Sequence, residues 1–218
     1  MKTTSTSYEL EYTLQRAKKD RDLKQIRKIT DLADICYVRQ KNQKGIGDAI
    51  KCSQRHVEDE PFAVLLGHTI TKGTVPCTKQ LINAYEKYKS PIVSLMEVPK
   101  DNLHLHRIIK GNKVENGIYK IDEILERPQK SSSNLAMMGR YILTPDIFDK
   151  INKTEAGFGG EIHLTDALSK LDSLYGAIFK GKSYYIGNRL EWLKTTIEYA
   201  LDDEEFKDDL VRYMKTYI

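Results

Sequence analysis

A polar residue at the end of an apolar run is the first place in this sequence where chemistry is expected. Phe62–Leu66 is apolar throughout, and Gly67 and then His68 follow it directly. A buried strand that stops at a glycine presents the next side chains at the edge of its sheet, where ligands bind in α/β proteins. His68 is therefore a candidate ligand-site residue.

Two glycines upstream of this run are typical of a close contact between the backbone and a ligand. Gly45 and Gly47 lie between a predicted strand and a predicted helix. Glycine lets a backbone approach a ligand closely, and the N-terminus of a helix favours an anion. The same spacing also occurs in ordinary tight turns, so both interpretations stay open at this point.

Three of the histidines are candidate metal ligands. His104 and His106 would share one face of an extended strand, and His68 could lie in the same cleft. Zinc sites combine cysteine and histidine at short, regular spacing, and no cysteine or third histidine stands at that spacing here. The pattern favours incidental histidines, so the residues themselves predict no metal site.

Strands and helices are predicted to alternate up to Met96, which is typical of a parallel, doubly wound sheet. Beyond that residue strands follow one another with few helices, which indicates an antiparallel extension, and the chain ends in helices. The predicted strands are Ile35–Gln40, Phe62–Leu66, Pro91–Met96, Ile108–Ile109, Gly117–Glu126, Asn134–Leu143 and Tyr175–Phe179, and the predicted helices are Ser7–Lys19, Leu23–Ile29, Asp48–Arg55, Cys77–Lys87, Pro145–Ile151, Thr165–Leu171, Arg189–Leu201 and Asp203–Tyr217.

The composition predicts a cytoplasmic globular protein that binds neither nucleic acid nor membrane. Of the 218 residues, 40% are hydrophobic and 30% charged, and the net charge of +4 is spread thinly. No apolar run approaches the ~20 residues that cross a bilayer, and the polar Met1–Ser7 segment lacks the apolar part of a signal peptide. Cys36, Cys52 and Cys77 form no C-x-x-C pair, which indicates reduced thiols.

Four segments together identify a family that this sequence resembles. They are Val38–Lys41, Glu60–Ile70, Ser133–Ala136 and Gly160–Ala167. In these segments the chain resembles the bacterial UTP–glucose-1-phosphate uridylyltransferases, also called UDP-glucose pyrophosphorylases. The resemblance begins near Ser7 and continues to the C-terminus.

The resemblance implies an α/β fold and a single domain over residues 1–218. That fold is a truncated nucleotidyltransferase-like (Rossmann-like) mixed sheet with an antiparallel extension, and residues 190–218 form a helical tail. It also implies the ligands UTP, UDP-glucose and glucose 1-phosphate. The glycine-rich loop of the type Gly-x-Gly-Thr-Arg, which precedes the matched region in the family, is not found in this sequence.

The resemblance also assigns roles to particular residues. Gln40 and Gly45 match the positions that contact uracil, whose edge offers both a donor and an acceptor to a glutamine amide. The residues matched to the sugar-phosphate site are Glu126, Arg127, Met137 and Lys182. Arginine stands at 127 where the family has lysine, which keeps the charge but changes its shape.

Four further residues depart from the family pattern. His68 and Tyr185 stand where the family has the two aspartates that hold its magnesium ion, and His106-Arg107 replaces Tyr-Gly beside the sugar. Neither an imidazole nor a phenol substitutes for a carboxylate on a hard cation. The resemblance therefore implies that magnesium is not bound here in the usual way.

Three functional hypotheses follow from these matches and departures. The first is a catalytically impaired uridylyltransferase homologue that serves as a regulatory or binding subunit. The second is an active uridylyltransferase completed by another chain or segment, and the third is a gene fragment without selected function. In the family two further strands lie between those predicted at Ile35–Gln40 and Phe62–Leu66. Without them Phe62–Leu66 has an unpaired edge, and either Ile35–Gln40 pairs with it directly or another chain covers it. We expect a homo-oligomer or association with a full-length homologue.

Overall fold

The computed structural model describes residues 8–217, except for the side chains of Thr30 and Phe158. Contacts between residues divide the chain into two compact units, residues 1–42 and residues 43–218. The predicted helix start at Ser7 and the polar Met1–Ser7 segment lie outside the described residues. A single domain over residues 1–218 stays a prediction.

The first unit contains two helices and an extended segment. Helix α1 spans Tyr8–Arg16 and helix α2 spans Asp20–Thr30. An ion pair links the two helices, in which Arg27 Nε lies 2.9 Å from Glu11 Oε2. Both helices were predicted, and each observed end lies one to three residues from the predicted end.

The strand predicted at Ile35–Gln40 is wrong. Residues 33–40 adopt no regular secondary structure, and the side chains of Ile35, Tyr37 and Val38 are exposed. β-branched and aromatic residues favour a strand only where a neighbouring strand completes the hydrogen bonds. In the described part of the chain no strand pairs with this segment.

The second unit is organised around a mixed sheet of six strands and a separate pair. In the larger sheet the order is β1-β6-β3-β7-β5-β4, and β2 pairs with β8. The strands are β1 (Phe62–Leu65), β2 (Thr69–Lys72), β3 (Ile92–Glu97), β4 (Arg107–Glu115), β5 (Ile118–Glu126), β6 (Leu135–Leu143), β7 (Tyr175–Ile178) and β8 (Lys182–Tyr185).

Strand directions refine the prediction of a sheet that is parallel up to Met96 and then extended by antiparallel strands. β3 and β7 are parallel neighbours, whereas β6 lies antiparallel between β1 and β3. β1, β3 and β7 therefore run in one direction, as the pattern predicted, with an antiparallel strand inserted among them. All nine residues of β6 are buried, and a continuous apolar run indicates a central strand without revealing its direction. The mixed α/β sheet with an antiparallel β4–β5 extension is confirmed.

Helices cover both faces of this sheet and extend the C-terminal end. They are α3 (Gly45–Cys52), α4 (Gln54–Val57), α5 (Cys77–Tyr88), α6 (Asp146–Asn152), α7 (Leu164–Leu168), α8 (Arg189–Asp202) and α9 (Lys207–Met214), with 3₁₀ turns at Lys100–Leu105 and Phe158–Gly160. One core is centred on Phe148 of α6, which stacks on Phe62, and another lies under Leu81 of α5. None of the described helices is both long and apolar enough to cross a membrane.

β1 is the end strand of the six-stranded sheet, as predicted. The Leu66 N–H donates to Gly139 O at 2.9 Å, so the backbone groups of Leu65 and Ala63, one and three residues earlier, point away from β6. Leu65 is 55% exposed. Beside this edge lies a groove of about 490 Å³ lined by side chains of α3, Val57 and β1. This part of the sheet has room for a further strand.

Candidate functional site

The two positions that depart most from the family pattern lie side by side. β2 and β8 pair in a register that places Thr69 opposite Tyr185, and the Ile186 N–H donates to His68 O at 2.9 Å. The two rings of His68 and Tyr185 meet edge to face, with centroids 5.4 Å apart. Tyr185 is 53% exposed, so the pair faces solvent.

A second cluster lies where β4 and β5 meet. Arg107 stands opposite Glu126 in the sheet register, and its Nε lies 2.8 Å from Glu126 Oε2. Arg127 Nε is 3.7 Å from the other carboxylate oxygen, and the Arg127 N–H donates to His106 O at 3.1 Å. The predicted sugar-binding carboxylate is therefore held by two guanidinium groups, one of them at the position where the family has glycine.

Lys182 is the predicted phosphate contact at the start of β8. Its ammonium group donates to Glu198 Oε1 on α8 and lies 5.1 Å from the centroid of the Tyr184 ring. The hydrogen bond to Glu198 raises the pKa of Lys182, although the side chain is exposed. Lys72 pairs with Asp202 of α8 in the same way. Lys182 is thus charged and accessible, and its ion-pair partner is Glu198 of α8.

The glycines at positions 45 and 47 are needed for packing within the protein, whether or not a ligand binds. A Cβ on Gly45 would lie 2.9 Å from Glu161 Cβ, and the Gly47 N–H donates to Ile162 O at 2.9 Å. The close approach that these glycines allow is therefore made by the 161–162 segment. Gln40 is half-buried in the first unit, and its predicted contact with uracil stays a prediction.

Met137 is a buried residue of the central strand β6. It belongs to β6, stands opposite Leu95 of β3 and is 9% exposed within the larger core. The predicted sugar-phosphate contact of Met137 stays a prediction, and the observed contacts are those of a core residue.

Histidines do not form a metal cluster in the part of the chain that the structure describes. Within residues 8–217, no group of three or more histidine, cysteine, aspartate or glutamate side chains is placed to hold a metal ion. His104 lies in the 3₁₀ turn Lys100–Leu105, and His106 follows that turn. Burial and the neighbouring His104 lower the pKa of His106.

Comparison with known proteins decides the family. Residues 7–193 match the model of the family described as "Nucleotidyl transferase". The chain belongs to the nucleotidyl transferase family. Within it, the UTP–glucose-1-phosphate uridylyltransferase of Staphylococcus haemolyticus is 43% identical over 212 residues, which cover 95% of this chain and 74% of that protein. The enzyme of the same name from Bacillus subtilis is 41% identical over 96% of this chain and 73% of its own length.

Solved structures of this branch of the family have the same fold. An apo UDP-glucose pyrophosphorylase superposes with a TM-score of 0.82 at 37% identity, covering 90% of this chain and 74% of that one. A UDP-glucose pyrophosphorylase complexed with UDP-glucose gives a TM-score of 0.78 at 36% identity, with 85% and 73% covered. The nucleotidyltransferase-like sheet predicted from the sequence is confirmed.

The residues at positions 68 and 185 do not fit the magnesium ion that the family resemblance assigns to them. Magnesium binds hard oxygen ligands, mainly carboxylates and water, in near-octahedral geometry. The imidazole of His68 offers nitrogen, and the phenol of Tyr185 offers one oxygen that carries no carboxylate charge. In this member of the nucleotidyl transferase family, the two positions cannot act as the pair of carboxylate ligands.

The sequence predicts the contacts of neither Arg140 nor Arg107. Arg140 is the only charged residue in β6, which spans Leu135–Leu143, and a charge in a buried apolar run is a signal that the sequence does contain. Arg107 was noted as a replacement for glycine, but its pairing with Glu126 depends on the β4–β5 register. That register requires the structure.

Proposed function

We propose that this chain is a UTP–glucose-1-phosphate uridylyltransferase homologue that binds nucleotide sugar but is impaired in uridylyl transfer when alone. In the full reaction UTP and glucose 1-phosphate give UDP-glucose and pyrophosphate. We infer that the chain acts in the cytoplasm as a binding or regulatory subunit. Its identity of 41–43% to enzymes that carry this name supports the ligand class.

The edge-to-face contact between His68 and Tyr185 carries the proposal of impairment. Uridylyl transfer needs no protein nucleophile, because an oxygen of the sugar phosphate attacks the α-phosphorus of UTP. The protein contributes positive charge, in-line positioning and donors aimed at the phosphates. By the family resemblance, these two rings, whose centroids lie 5.4 Å apart, stand at the positions of both metal-binding carboxylates. The chain then has no bound cation there to neutralise the charge that develops on pyrophosphate.

Retained polar groups support ligand binding. Arg127 and Lys182 are exposed cations, and Glu126 offers carboxylate oxygens to sugar hydroxyls once Arg107 moves aside. A relative 36% identical to this chain is solved in complex with UDP-glucose, which supports the same ligand here.

Isothermal titration calorimetry tests the binding part of the proposal. The purified chain is titrated with UTP, UDP-glucose and glucose 1-phosphate, each with and without magnesium chloride. We expect UDP-glucose to bind with a dissociation constant that changes less than twofold when magnesium is added. No binding of any of the three ligands would refute the proposal, and a tenfold gain from magnesium would refute the altered metal site.

A second candidate function is an active uridylyltransferase completed by another polypeptide. The open edge of β1 and the apolar groove beside it favour this candidate, because an added strand would find backbone partners and apolar contacts there. A homo-oligomer or association with a full-length homologue would supply such a strand. The test compares UDP-glucose formation by the chain alone with its formation by a mixture. The mixture adds a polypeptide that carries the part of the relatives, about a quarter of their length, that this chain does not match. UDP-glucose formed only in the mixture supports this candidate, and no UDP-glucose in either sample excludes it.

A further inference from the structure

A buried charge lies directly behind the candidate site. Arg140 is 9% exposed and is the only charged residue among the nine of β6. Taking a guanidinium group out of water costs free energy, and an apolar side chain would fill the same space without that cost. Burial lowers the pKa of Arg140, and among the described residues no carboxylate forms an ion pair with it. The hydrogen bonds that it makes must therefore account for its place in the core.

Those hydrogen bonds converge on the turn that follows β1. Arg140 Nη1 donates to Leu66 O at 2.9 Å and to Gly139 O at 2.9 Å, and Nη2 donates to Thr69 O. Leu66 and Thr69 are the first and last residues of that turn, and the Thr69 N–H closes it by donating to Leu66 O at 3.2 Å. One guanidinium group thus holds both ends of the turn. A planar group with several fixed donors suits this task better than the single ammonium of lysine.

Gly139 lets the turn come close enough for these bonds. A Cβ at position 139 would lie 2.8 Å from Leu66 Cβ and 2.9 Å from Thr69 Oγ1, distances at which the turn would have to move. The short contact and two of the three Arg140 hydrogen bonds therefore act on the same turn, residues 66–69. The turn is fixed from beneath by neighbouring residues of a single strand.

His68 is the residue that this turn presents to solvent. Its carbonyl accepts from the Ile186 N–H at 2.9 Å, and Thr69 stands opposite Tyr185. We propose that Arg140 is the positioning residue of the candidate site. It fixes the turn of residues 66–69, and thereby sets how the side chain at position 68 meets the side chain at position 185.

Nuclear magnetic resonance of the full chain tests this proposal on the residue pair itself. The readout is the nuclear Overhauser effect between the ring protons of His68 and Tyr185, together with the midpoint of thermal unfolding. Arg140→Met fills the core without donating, and we expect it to reduce the effect at least threefold in a chain that still folds.

Ser94→Ala is the matched control. The Ser94 hydroxyl donates to Arg140 O at 2.9 Å, so this variant removes a buried hydrogen bond to the same residue without touching the turn. We expect an unchanged ring contact. If Arg140→Met lowers the unfolding midpoint but leaves the ring contact as strong as in Ser94→Ala, Arg140 is only a structural residue and the proposal is wrong.

Gly139→Ala tests the same turn with Arg140 intact, and decides the matter if Arg140→Met does not fold. The added methyl group should push the turn away and reduce the ring contact at least threefold, whereas an unchanged contact contradicts the proposal. Arg140→Lys, which can still donate to Leu66 O or Thr69 O, is expected to recover part of the contact.

The effect on ligand binding rests on the proposed function. If UDP-glucose binds at this site, Arg140→Met should raise its dissociation constant at least fivefold, with Ser94→Ala within twofold of the unsubstituted chain. Equal constants in both variants would mean that the turn does not position the ligand site. Absence of binding by the unsubstituted chain refutes the proposed function alone, because the ring contact still decides the role of Arg140.

Discussion

The turn that carries His68 and the end of the β4–β5 hairpin that carries Glu126 have changed in different ways. At the turn the backbone is held by buried hydrogen bonds from Arg140, whereas His68 and Tyr185 stand at positions to which the family resemblance assigns carboxylates. At the hairpin Glu126 is the carboxylate that the family resemblance assigns to the sugar, and Arg107 forms an ion pair with it. The first region thus has a firmly held backbone with unexpected side chains, and the second has the expected carboxylate in an ion pair.

This difference teaches that framework and ligand chemistry depend on separate residues. Apolar packing and buried hydrogen bonds hold the sheet, and these are expensive to lose. The side chains that would meet ligands are mostly exposed, and exposed ion pairs contribute little to the stability of a fold. Site residues can therefore change while the fold, at TM-scores near 0.8 to its relatives, stays the same.

The largest effect is expected from a framework substitution. Phe148 is 2% exposed and stacks on Phe62 of β1, with ring centroids 5.4 Å apart. Phe148→Ala should lower the free energy of unfolding by about 3–5 kcal/mol, because a large cavity opens beneath β1. Urea denaturation measures this change. A loss below about 1 kcal/mol would show that the core does not hold the site end of the sheet.

Restoring carboxylates at the turn should restore metal affinity. The double variant His68→Asp with Tyr185→Asp places two acids on neighbouring positions, one directly before β2 and one at the end of β8. We expect Mn²⁺, followed by water proton relaxation, to bind at least tenfold more tightly than to the unsubstituted chain.

The control for metal binding is His68→Asn with Tyr185→Phe, which changes both side chains without adding charge. Equal Mn²⁺ affinity in the two double variants would mean that the turn no longer holds the geometry of a metal site. That result would contradict the claim that the backbone of the turn is intact and only its side chains differ.

Freeing Glu126 should have a smaller effect. Arg107→Gly removes the guanidinium that lies 2.8 Å from the carboxylate, so we expect UDP-glucose affinity to rise about threefold to tenfold. Lys110→Ala is the matched control, because Lys110 pairs with Glu123 at 2.9 Å on the same hairpin. Calorimetry that finds the same affinity in both variants would show that Arg107 does not obstruct the ligand.

The smallest effect is expected for an exposed ion pair. Lys182→Met breaks the contact with Glu198 of α8, and both side chains are largely exposed and screened by solvent. The midpoint of urea denaturation should not change measurably at physiological salt. A destabilisation as large as that of Phe148→Ala would mean that charge holds α8 to the sheet. That result would contradict the claim that the fold and the ligand contacts depend on separate residues.

The sequence predicts elements well where one residue pattern decides them. The apolar run at 62–66 and the helical spacing from Cys77 both correspond to observed elements. The segment at 35–40 has strand-like composition but no neighbour in the described chain, and pairing is a property of the whole sheet. β2 and β8 were missed as strands because Thr69–Lys72 and Lys182–Tyr185 are short and largely polar.

Site residues were predictable only in part for the same reason. The resemblance implied that positions 68 and 185 belong together, and the β2–β8 register shows their contact. The Glu126–Arg107 pair depends on the register of β4 with β5, and the Arg140 hydrogen bonds depend on how β1 packs on β6. Neither arrangement follows from residue type or local spacing.

The most direct test of the central claim is the rate at which the purified 218-residue chain forms UDP-glucose from UTP and glucose 1-phosphate with magnesium chloride. The Bacillus subtilis enzyme, 41% identical, serves as the positive control in the same assay. The proposed impairment predicts a rate at least a thousandfold lower than that control, roughly 4 kcal/mol less transition-state stabilisation. A rate within tenfold of the control would contradict it.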